Sequence, residues 1–291
     1  MSETAAVHDL FGFPLREIPL RTAVRDALFE DRAMEDVTTL ATIPATAMSS
    51  AVLAARKAGV VCGGPLAIEA FTQVSPHVRI EVVRTDGTVV APGDAILRIT
   101  GPSRAMLQAE RVALNYMMHL SGVATLTHAY VQAIAGTAAR ILDTRKTTPG
   151  LRHLEKYAVR CGGGRNHRMD LASMAMLKDN HLAAVGGDIV AAVRQVRGIL
   201  PTGTWIEVEA DRREQVERAV ESGADVIMLD NMPLDAMREC VALVAGRAIV
   251  EASGGVTLDR VRAIAETGVD WISVGALTHS APALDLGLDF S

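Results

Sequence analysis

The chain has 291 residues and a formal net charge of -5, with 49% hydrophobic, 22% charged and only 3% aromatic residues. That length and apolar content predict a packed core in one large or two ordinary domains and exclude wholesale disorder. Net acidity and scarce aromatics argue against a nucleic-acid-binding surface.

Residues 1–15 have no basic stretch followed by an apolar run, so no secretory leader is expected, and no apolar run approaches a membrane span. Cys62, Cys161 and Cys240 form no CxxC pair and read as reduced thiols of a cytoplasmic protein. Pro19–Met34 predicts a helix, with Val24, Ala27, Leu28 and Arg32 at helical spacing, followed by a polar loop over Asp31–Thr39. Met48–Arg56 and Gly59–Cys62 read as strands, Pro65–Val74 as a short helix, and Val78–Val83 and Ala95–Ile99 as further strands. Short strands joined through Asp86-Gly87 and Pro92-Gly93 predict a small α+β layer.

Ser103 opens a helix to about Leu120; Ser121-Gly122 is expected to break it before a second helix to about Ala135. Arg111 lies in this stretch and on its own reads as a surface ion pair with a neighbouring carboxylate. From Arg140 the texture changes to short apolar runs, Arg140–Leu142, Ala175–Leu177, Trp205–Val208, Val226–Leu229, Ala248–Val250 and Trp271–Val274. Amphipathic segments lie between most of them, as in Ile189, Ala192, Val193 and Val196. Asp211 with Glu214 has capping-box spacing, and Gly223 and Gly268 sit where helices should stop. Glu221–Asp230 echoes Glu266–Gly275, each a helix end, a glycine, an aspartate and a strand. This alternation predicts a parallel sheet, barrel-like or doubly wound. A (β/α) barrel is favoured, because chemistry-bearing residues recur after nearly every strand.

Those residues are Asp143–Lys146, Lys178–His181, Glu207 with Glu209, Asp230-Asn231, Glu251 with Ser253–Gly255, and Gly275 with Thr278-His279. Arg145, His167, Arg168 and Lys178 suit carboxylates, which arginine can grip through two parallel hydrogen bonds. Ser253-Gly254-Gly255 and Gly275-Ala276 offer backbone N–H groups to a phosphate. Glu207 and Asp230 suggest Mg²⁺ or ribose hydroxyls. Blander readings stand beside these: His167 as a structural histidine, Gly162–Gly164 as a flexible loop, and His8, His77 and His153 as surface residues. Lys178 could also serve as a Schiff-base lysine.

The stretches DTRKTTPGLRHLEKYAVRCGGGRNHRMDL, LKDNH, IEVE, MLDN, EASGG and VGALTHSAPALDLGLD closely resemble the quinolinate phosphoribosyltransferase family. The resemblance implies an α/β fold: an N-terminal α/β sandwich over 1–118, an incomplete (β/α) barrel over 119–280, and a tail, 281–291, returning to the sandwich. It implies transfer of phosphoribosyl from phosphoribosyl pyrophosphate to quinolinate with decarboxylation, using Mg²⁺. It further implies a head-to-tail homodimer, able to assemble further, whose shared sites each take Arg111 from the partner. Arg111, Arg145, His167, Arg168 and Lys178 would then meet the carboxylates, flanked by Thr144 and Lys146, with Lys146 near the pyrophosphate. Glu207 and Asp230 would hold ribose and Mg²⁺. Ser253, Gly254, Gly255, Val274, Gly275, Ala276 and His279 would surround the 5-phosphate. Lys146, Lys178, Glu207 and Asp230 are the expected catalytic set. The match departs over Met169–Met176, where the family pattern places a glycine near Asp170 and an aspartate near Ser173. A related branch associated with molybdenum transport, acting on another substrate, is therefore the alternative. A non-catalytic anion-binding barrel is the reading outside enzymes.

Overall fold

A computed structural model describes residues 17–291. The leader expectation and His8 therefore lie outside the described residues. The described residues divide into two compact units, one formed by 17–128, 148–163 and 280–291, the other by 129–147 and 164–279.

In the first unit, helix α1 (Glu17–Glu30) is followed by a 3-10 turn, Ala33–Glu35, and by helix α2 (Val37–Thr42). The polar loop expected at Asp31–Thr39 is thus partly helical. Asp36 explains this: its side chain caps α2 by accepting the Thr39 backbone N–H at 3.1 Å. Strands β1 (Met48–Ala55), β2 (Gly59–Val60), β3 (Arg79–Val82), β4 (Val89–Val90) and β5 (Ala95–Pro102) follow, with α3 (Gly64–Val74) between β2 and β3. The last strand of the chain, Leu286–Phe290, pairs antiparallel with β1, whose other edge takes β5, and β5 takes β3. Leu53, Leu97, Ile99, Leu66 and Phe71 are buried. Burying such aliphatic and aromatic side chains is the main stabilising term for a layer of this kind. β4, a two-residue partner of β2, carries too little pattern to be read from sequence.

Ser103–Ala133 is one helix, α4, and the expected break at Ser121-Gly122 is absent. Both residues have tertiary reasons to be there. Ser121 is buried, and its hydroxyl accepts the Cys62 N–H at 2.8 Å and donates to the Cys62 carbonyl at 3.1 Å. A Cβ on Gly122 would lie 2.2 Å from the Pro282 carbonyl oxygen. Serine and glycine here admit neighbouring chain against the helix instead of ending it. α5 (Arg152–Cys161) completes the helices of this unit.

The second unit holds six parallel strands in the order β6-β11-β10-β9-β8-β7. They are β6 (Arg140–Leu142), β7 (Ala175–Leu177), β8 (Ile206–Ala210), β9 (Val226–Asp230), β10 (Ile249–Ser253) and β11 (Trp271–Ser273), with β12 being Leu286–Phe290 of the first unit. Helices α6 (Asp179–Ala184), α7 (Ile189–Ile199), α8 (Arg213–Ser222), α9 (Leu234–Val244), α10 (Val261–Ala265) and α11 (Ala276–His279) alternate with them. β6 and β7 remain the two edges, so the ladder is an incomplete barrel. Trp205, just before β8, stacks on Trp271 at the start of β11, ring centroids 5.9 Å apart. Three strand spacings would separate those strands by about 14 Å if the sheet were flat. The stack therefore sits on the curled sheet's floor, at the amino ends of the strands.

β8, β9 and β10 run one to three residues further than their apolar cores suggest, so Glu209, Asp230, Glu251 and Ser253 lie inside strands, as does Glu207. The capping box expected at Asp211 does not form: Arg212 is the N-cap without a side-chain bond, and Gln215 accepts the Asp211 N–H at 2.7 Å. Gly223 does end α8, with φ of 71°, and Gly268 follows α10 with φ of 93°. His77 and His153 are exposed. No described helix is long and apolar enough to cross a membrane.

The close approach at Gly122 gives a direct test. Gly122→Ala should destabilise the chain by about 3 kcal/mol, the upper range for overpacking. Thermal denaturation of the variant should show a clear fall in Tm, whereas an unchanged Tm would contradict this packing.

Candidate active site

The carboxyl ends of the parallel strands surround a cavity of about 640 Å³. Its wall is made by Thr144, Arg145 and Lys146 after β6, by His167 and Arg168, and by Met176 and Lys178 around β7. It is completed by Glu209 on β8, by Met228 and Asp230 on β9 with Asn231 just after it, by Glu251 and Ser253 on β10 with Gly254 and Gly255 just after it, and by Ser273 on β11. Volume and lining fit a site for small ligands.

The cationic side is built from three short pieces. After β6 the chain turns, with the Lys146 N–H donating to the Thr144 hydroxyl at 3.0 Å. The Thr278 hydroxyl of α11 donates to the Lys146 carbonyl at 2.7 Å. Arg168 is steered by the Met174 carbonyl, which accepts from Nη1 at 3.0 Å, and by Met176 Sδ at 3.4 Å from Nη2. Burial and the nearby Arg145 guanidinium both pull the Arg168 pKa down, the signature of cations crowded together in a half-buried place. Lys178, at the end of β7, is ion-paired with Glu209. An ion-paired ammonium is not the free amine that Schiff-base chemistry needs, so the pairing favours charge binding.

The opposite side is acidic and glycine-rich. Asn231 adopts a left-handed backbone with φ of 54°, tolerated by asparagine better than by most residues. Its side chain donates to Asp230 at 3.0 Å, and its backbone N–H donates to the Ser253 carbonyl at 2.9 Å. Gly254, with φ of 87°, lies so near that a Cβ there would fall 2.3 Å from Asn231 Oδ1. Only glycine satisfies both the turn and that approach. The Ser253–Gly255 turn consequently presents backbone beside Asp230.

Beneath the cavity lies a buried cluster. His167 Nε2 is 3.2 Å from Glu207 and 3.3 Å from Glu251, and both glutamates are wholly buried. The Ser273 hydroxyl donates to Glu251. The Arg168 backbone nitrogen lies 2.7 Å from His167 Nδ1, and Nε2 faces the two carboxylates. Burial lowers the His167 pKa, but hydrogen bonding and charge from Glu207 and Glu251 outweigh it and raise it to about 9. Burial likewise raises Glu207. His167 and Glu207 titrate as a coupled pair that keeps an extra proton at neutral pH.

Of the residues expected at the site, Thr144, Arg145, Lys146, His167, Arg168, Lys178, Asp230, Ser253, Gly254 and Gly255 line the cavity. Glu207 does not; its carboxylate is enclosed with His167, and Glu209, two residues on along the same strand, reaches the wall instead. Val274, Gly275, Ala276 and His279 also lie outside the wall, although a Cβ on Gly275 would meet Lys146 Cδ at 3.0 Å and His279 Nε2 at 3.2 Å. Arg111 is exposed on α4 of the first unit, and among the described residues it makes no ion pair. Met176, Met228, Asn231, Glu251 and Ser273 were not expected to line the cavity. Glu209, Asn231 and Glu251 were at least legible as strand-end residues; the methionines and Ser273 gave no such signal. Gly162–Gly164 is absent from the wall, and a Cβ on Gly162 would lie 2.3 Å from the Ala124 carbonyl oxygen. That run serves chain packing at Gly162.

Two groups of described residues have the spacing for a metal, His167-Glu207-Glu251 and Cys62-Asp86-Cys161. In the latter, Asp86 already accepts from Gly63 N, Gly64 N and the Tyr157 hydroxyl, each at 3.0 Å. Burial holds the Cys62 thiol protonated. Both features fit a capped helix start better than a metal centre. For a hard cation at the cavity, Asp230 and Glu209 supply accessible oxygen donors.

Comparison with known proteins identifies the architecture. Residues 36–121 match a family model described as the N-terminal domain of quinolinate phosphoribosyl transferase, and residues 123–289 match that of its C-terminal domain. The chain belongs to the quinolinate phosphoribosyltransferase family. It is 42% identical over 275 residues to the carboxylating nicotinate-nucleotide pyrophosphorylase of Mycobacterium leprae, covering 92% of this chain and 96% of that one. It is 40% identical over 275 residues to a probable carboxylating nicotinate-nucleotide pyrophosphorylase of Bacillus subtilis, covering 94% of each. Among solved structures, NadC from Streptococcus pyogenes superposes with a TM-score of 0.90 at 40% identity, covering 95% of this chain and 99% of that chain. The nicotinate-nucleotide pyrophosphorylase from Francisella tularensis gives 0.90 at 34%, covering 95% and 98%.

The buried cluster sets a pH dependence. The folded-state pKa of His167, about 9, lies above the value of roughly 6.5 for a free histidine. The stabilisation is therefore complete below about pH 6.5 and lost as pH rises through 9. Melting curves between pH 6 and 10 should show Tm falling across that window, and His167→Asn should flatten this part of the profile.

Proposed function

We propose that the chain transfers the phosphoribosyl group of phosphoribosyl pyrophosphate to quinolinate and releases pyrophosphate and CO₂, giving nicotinate mononucleotide for NAD synthesis. It is a pentosyltransferase of the decarboxylating kind. The observation that carries this reading is one cavity joining Arg145, Arg168 and Lys178 to Asp230 and the Ser253–Gly255 turn in a member of this family. A planar dicarboxylate fits the first group, and a sugar phosphate fits the second.

The pyridine nitrogen attacks the anomeric carbon of the ribose, and the bond to pyrophosphate breaks with its electron pair leaving on oxygen. Positive charge developing on the ribose is countered by Asp230 and Glu209 across the cavity. Lys146 faces the departing pyrophosphate. The bond from the ring carbon to the adjacent carboxylate then breaks as CO₂ departs; its electron pair stays on that carbon, stabilised by the neighbouring pyridinium nitrogen, and takes up a proton. Arg145 and Arg168 hold the remaining carboxylate, so most of the catalytic effect is orientation and electrostatics. Backbone N–H groups of Gly254 and Gly255 bind the 5-phosphate, with Gly275 and His279 nearer to Lys146.

Mg²⁺ is the proposed cofactor, held by Asp230 with Glu209. Glu207 is a poor ligand because His167 and Glu251 enclose its carboxylate. When bound, the ion neutralises pyrophosphate charge. A homodimer is also proposed, with Arg111 of one protomer, exposed and without an ion pair among the described residues, serving its partner's site. The compartment proposed is the cytoplasm, where Cys62, Cys161 and Cys240, all free thiols, stay reduced.

Incubation with quinolinate, phosphoribosyl pyrophosphate and Mg²⁺ should yield nicotinate mononucleotide, and chelation should stop it. Nicotinate in place of quinolinate should give no product; turnover of nicotinate would overturn the dicarboxylate assignment. Arg145→Ala leaves a substrate carboxylate unpaired, at about 3 kcal/mol, and should raise the quinolinate KM on the order of 100-fold. Arg111→Ala should be inactive alone, but mixing it with Arg145→Ala should restore part of the activity by forming one intact shared site. A mixture as inactive as its parts would count against sharing.

A further inference from the structure

One buried carboxylate beside the cavity has no part in the chemistry above. Asp143 follows β6 directly and is wholly buried, and it is not part of the cavity wall. Its Oδ1 accepts the His167 backbone N–H at 2.9 Å, and its Oδ2 accepts from the Asn166 side-chain amide at 2.5 Å.

We propose that Asp143 is a positioning residue that pins residues 165–168, so that His167 and Arg168 stand at the separation from Arg145 that a dicarboxylate requires. The inference rests on the quinolinate reading for the ligand.

Among the described residues, the backbone–backbone bonds of this segment lie at its start. Arg165 N–H donates to the Ile141 carbonyl at 2.8 Å, and Asp143 N–H donates to the Arg165 carbonyl at 3.1 Å. That makes one parallel rung beside Leu142. Beyond Arg165 the chain leaves β6, and the Asp143 carboxylate sets the direction of the peptide at His167. On one side lies a triple glycine, whose Gly163 has φ of 90° and gives little stiffness. On the other, Arg168 is tied at its tip to the Met174 carbonyl. Asp143 also begins the turn that carries Arg145, so one residue couples both arms of the carboxylate grip. Asp230 and Ser253–Gly255 come from β9 and β10 and need nothing from it.

Asp143→Ala and Asp143→Asn separate positioning from mere stability. Asp143→Ala should raise the quinolinate KM at least 30-fold, while phosphoribosyl pyrophosphate binding, measured by calorimetry, changes less than threefold. Hydrogen exchange at the His167 amide should accelerate by a similar factor of 30. Asp143→Asn should recover most of this, because an asparagine oxygen can accept the His167 N–H while its NH₂ donates to a flipped Asn166. Equal loss toward both substrates, or an unchanged quinolinate KM, would overturn the proposal. If Asp143→Ala does not fold, Asn166→Ala removes one of the two bonds and should raise the quinolinate KM alone by five- to tenfold; no change would refute the pin. Wild-type turnover of quinolinate is the control. Without it the substrate reading falls, and exchange at the His167 amide alone decides whether Asp143 pins the segment.

Discussion

Three carboxylates that solvent does not reach, Asp143, Glu207 and Glu251, lie under the cationic half of the cavity, and its geometry depends on them. A buried carboxylate is tolerated only where hydrogen bonds or opposite charge compensate its lost hydration. Asp143 takes backbone and amide hydrogens from the very segment that bears His167 and Arg168. Glu207 and Glu251 enclose the His167 imidazole. The desolvation cost therefore turns into order, because each carboxylate is stable only while the loop above it stays in place. Arg168, with its pKa pulled down by burial and by Arg145, is held against repulsion by that order and by the Met174 carbonyl.

This arrangement also explains how a chain of net charge -5 keeps a site for anions. The acidic residues nearest the site are either beneath it, matched to His167 and the 165–168 segment, or on its far wall. Lys178 is matched to Glu209, so the carboxylate proposed to bind there would exchange one partner for another. Such an exchange costs less than stripping water from a bare ammonium, and it keeps the lysine pointed at the cavity.

Much of the architecture was legible from pattern. Six apolar runs separated by amphipathic segments predicted the parallel strands, and all six are present, because parallel strands buried on both faces leave that continuous signature. Ten of the expected site residues line the cavity, since the carboxyl ends of such strands converge whatever the loops do. The failures share a cause. Ser121-Gly122 looked like a helix break, because local propensity cannot reveal that Cys62 and Pro282 lie against those two positions. Asp211 looked like a cap, yet Gln215 competes for its N–H.

The misplacement of Glu207 is more instructive, because alternation gave no way to avoid it. Residues 207 and 209 share one face of β8, so sequence parity sends both inward and cannot rank them by depth. Depth is set by the register with neighbouring strands. Glu207 stands opposite Val226 and Glu209 opposite Met228 on β9, so Glu209 lies one full repeat nearer the mouth. On β10, Glu251 is level with Met228, but it points down onto His167 through Oε2 while Ser273 holds its other oxygen. Two glutamates at equivalent heights thus take different work, one pairing Lys178 at the wall and one closing the floor. The distinction comes from cross-strand neighbours, Lys178 beside one and Ser273 beside the other, and neither is adjacent in sequence to the glutamate that it directs.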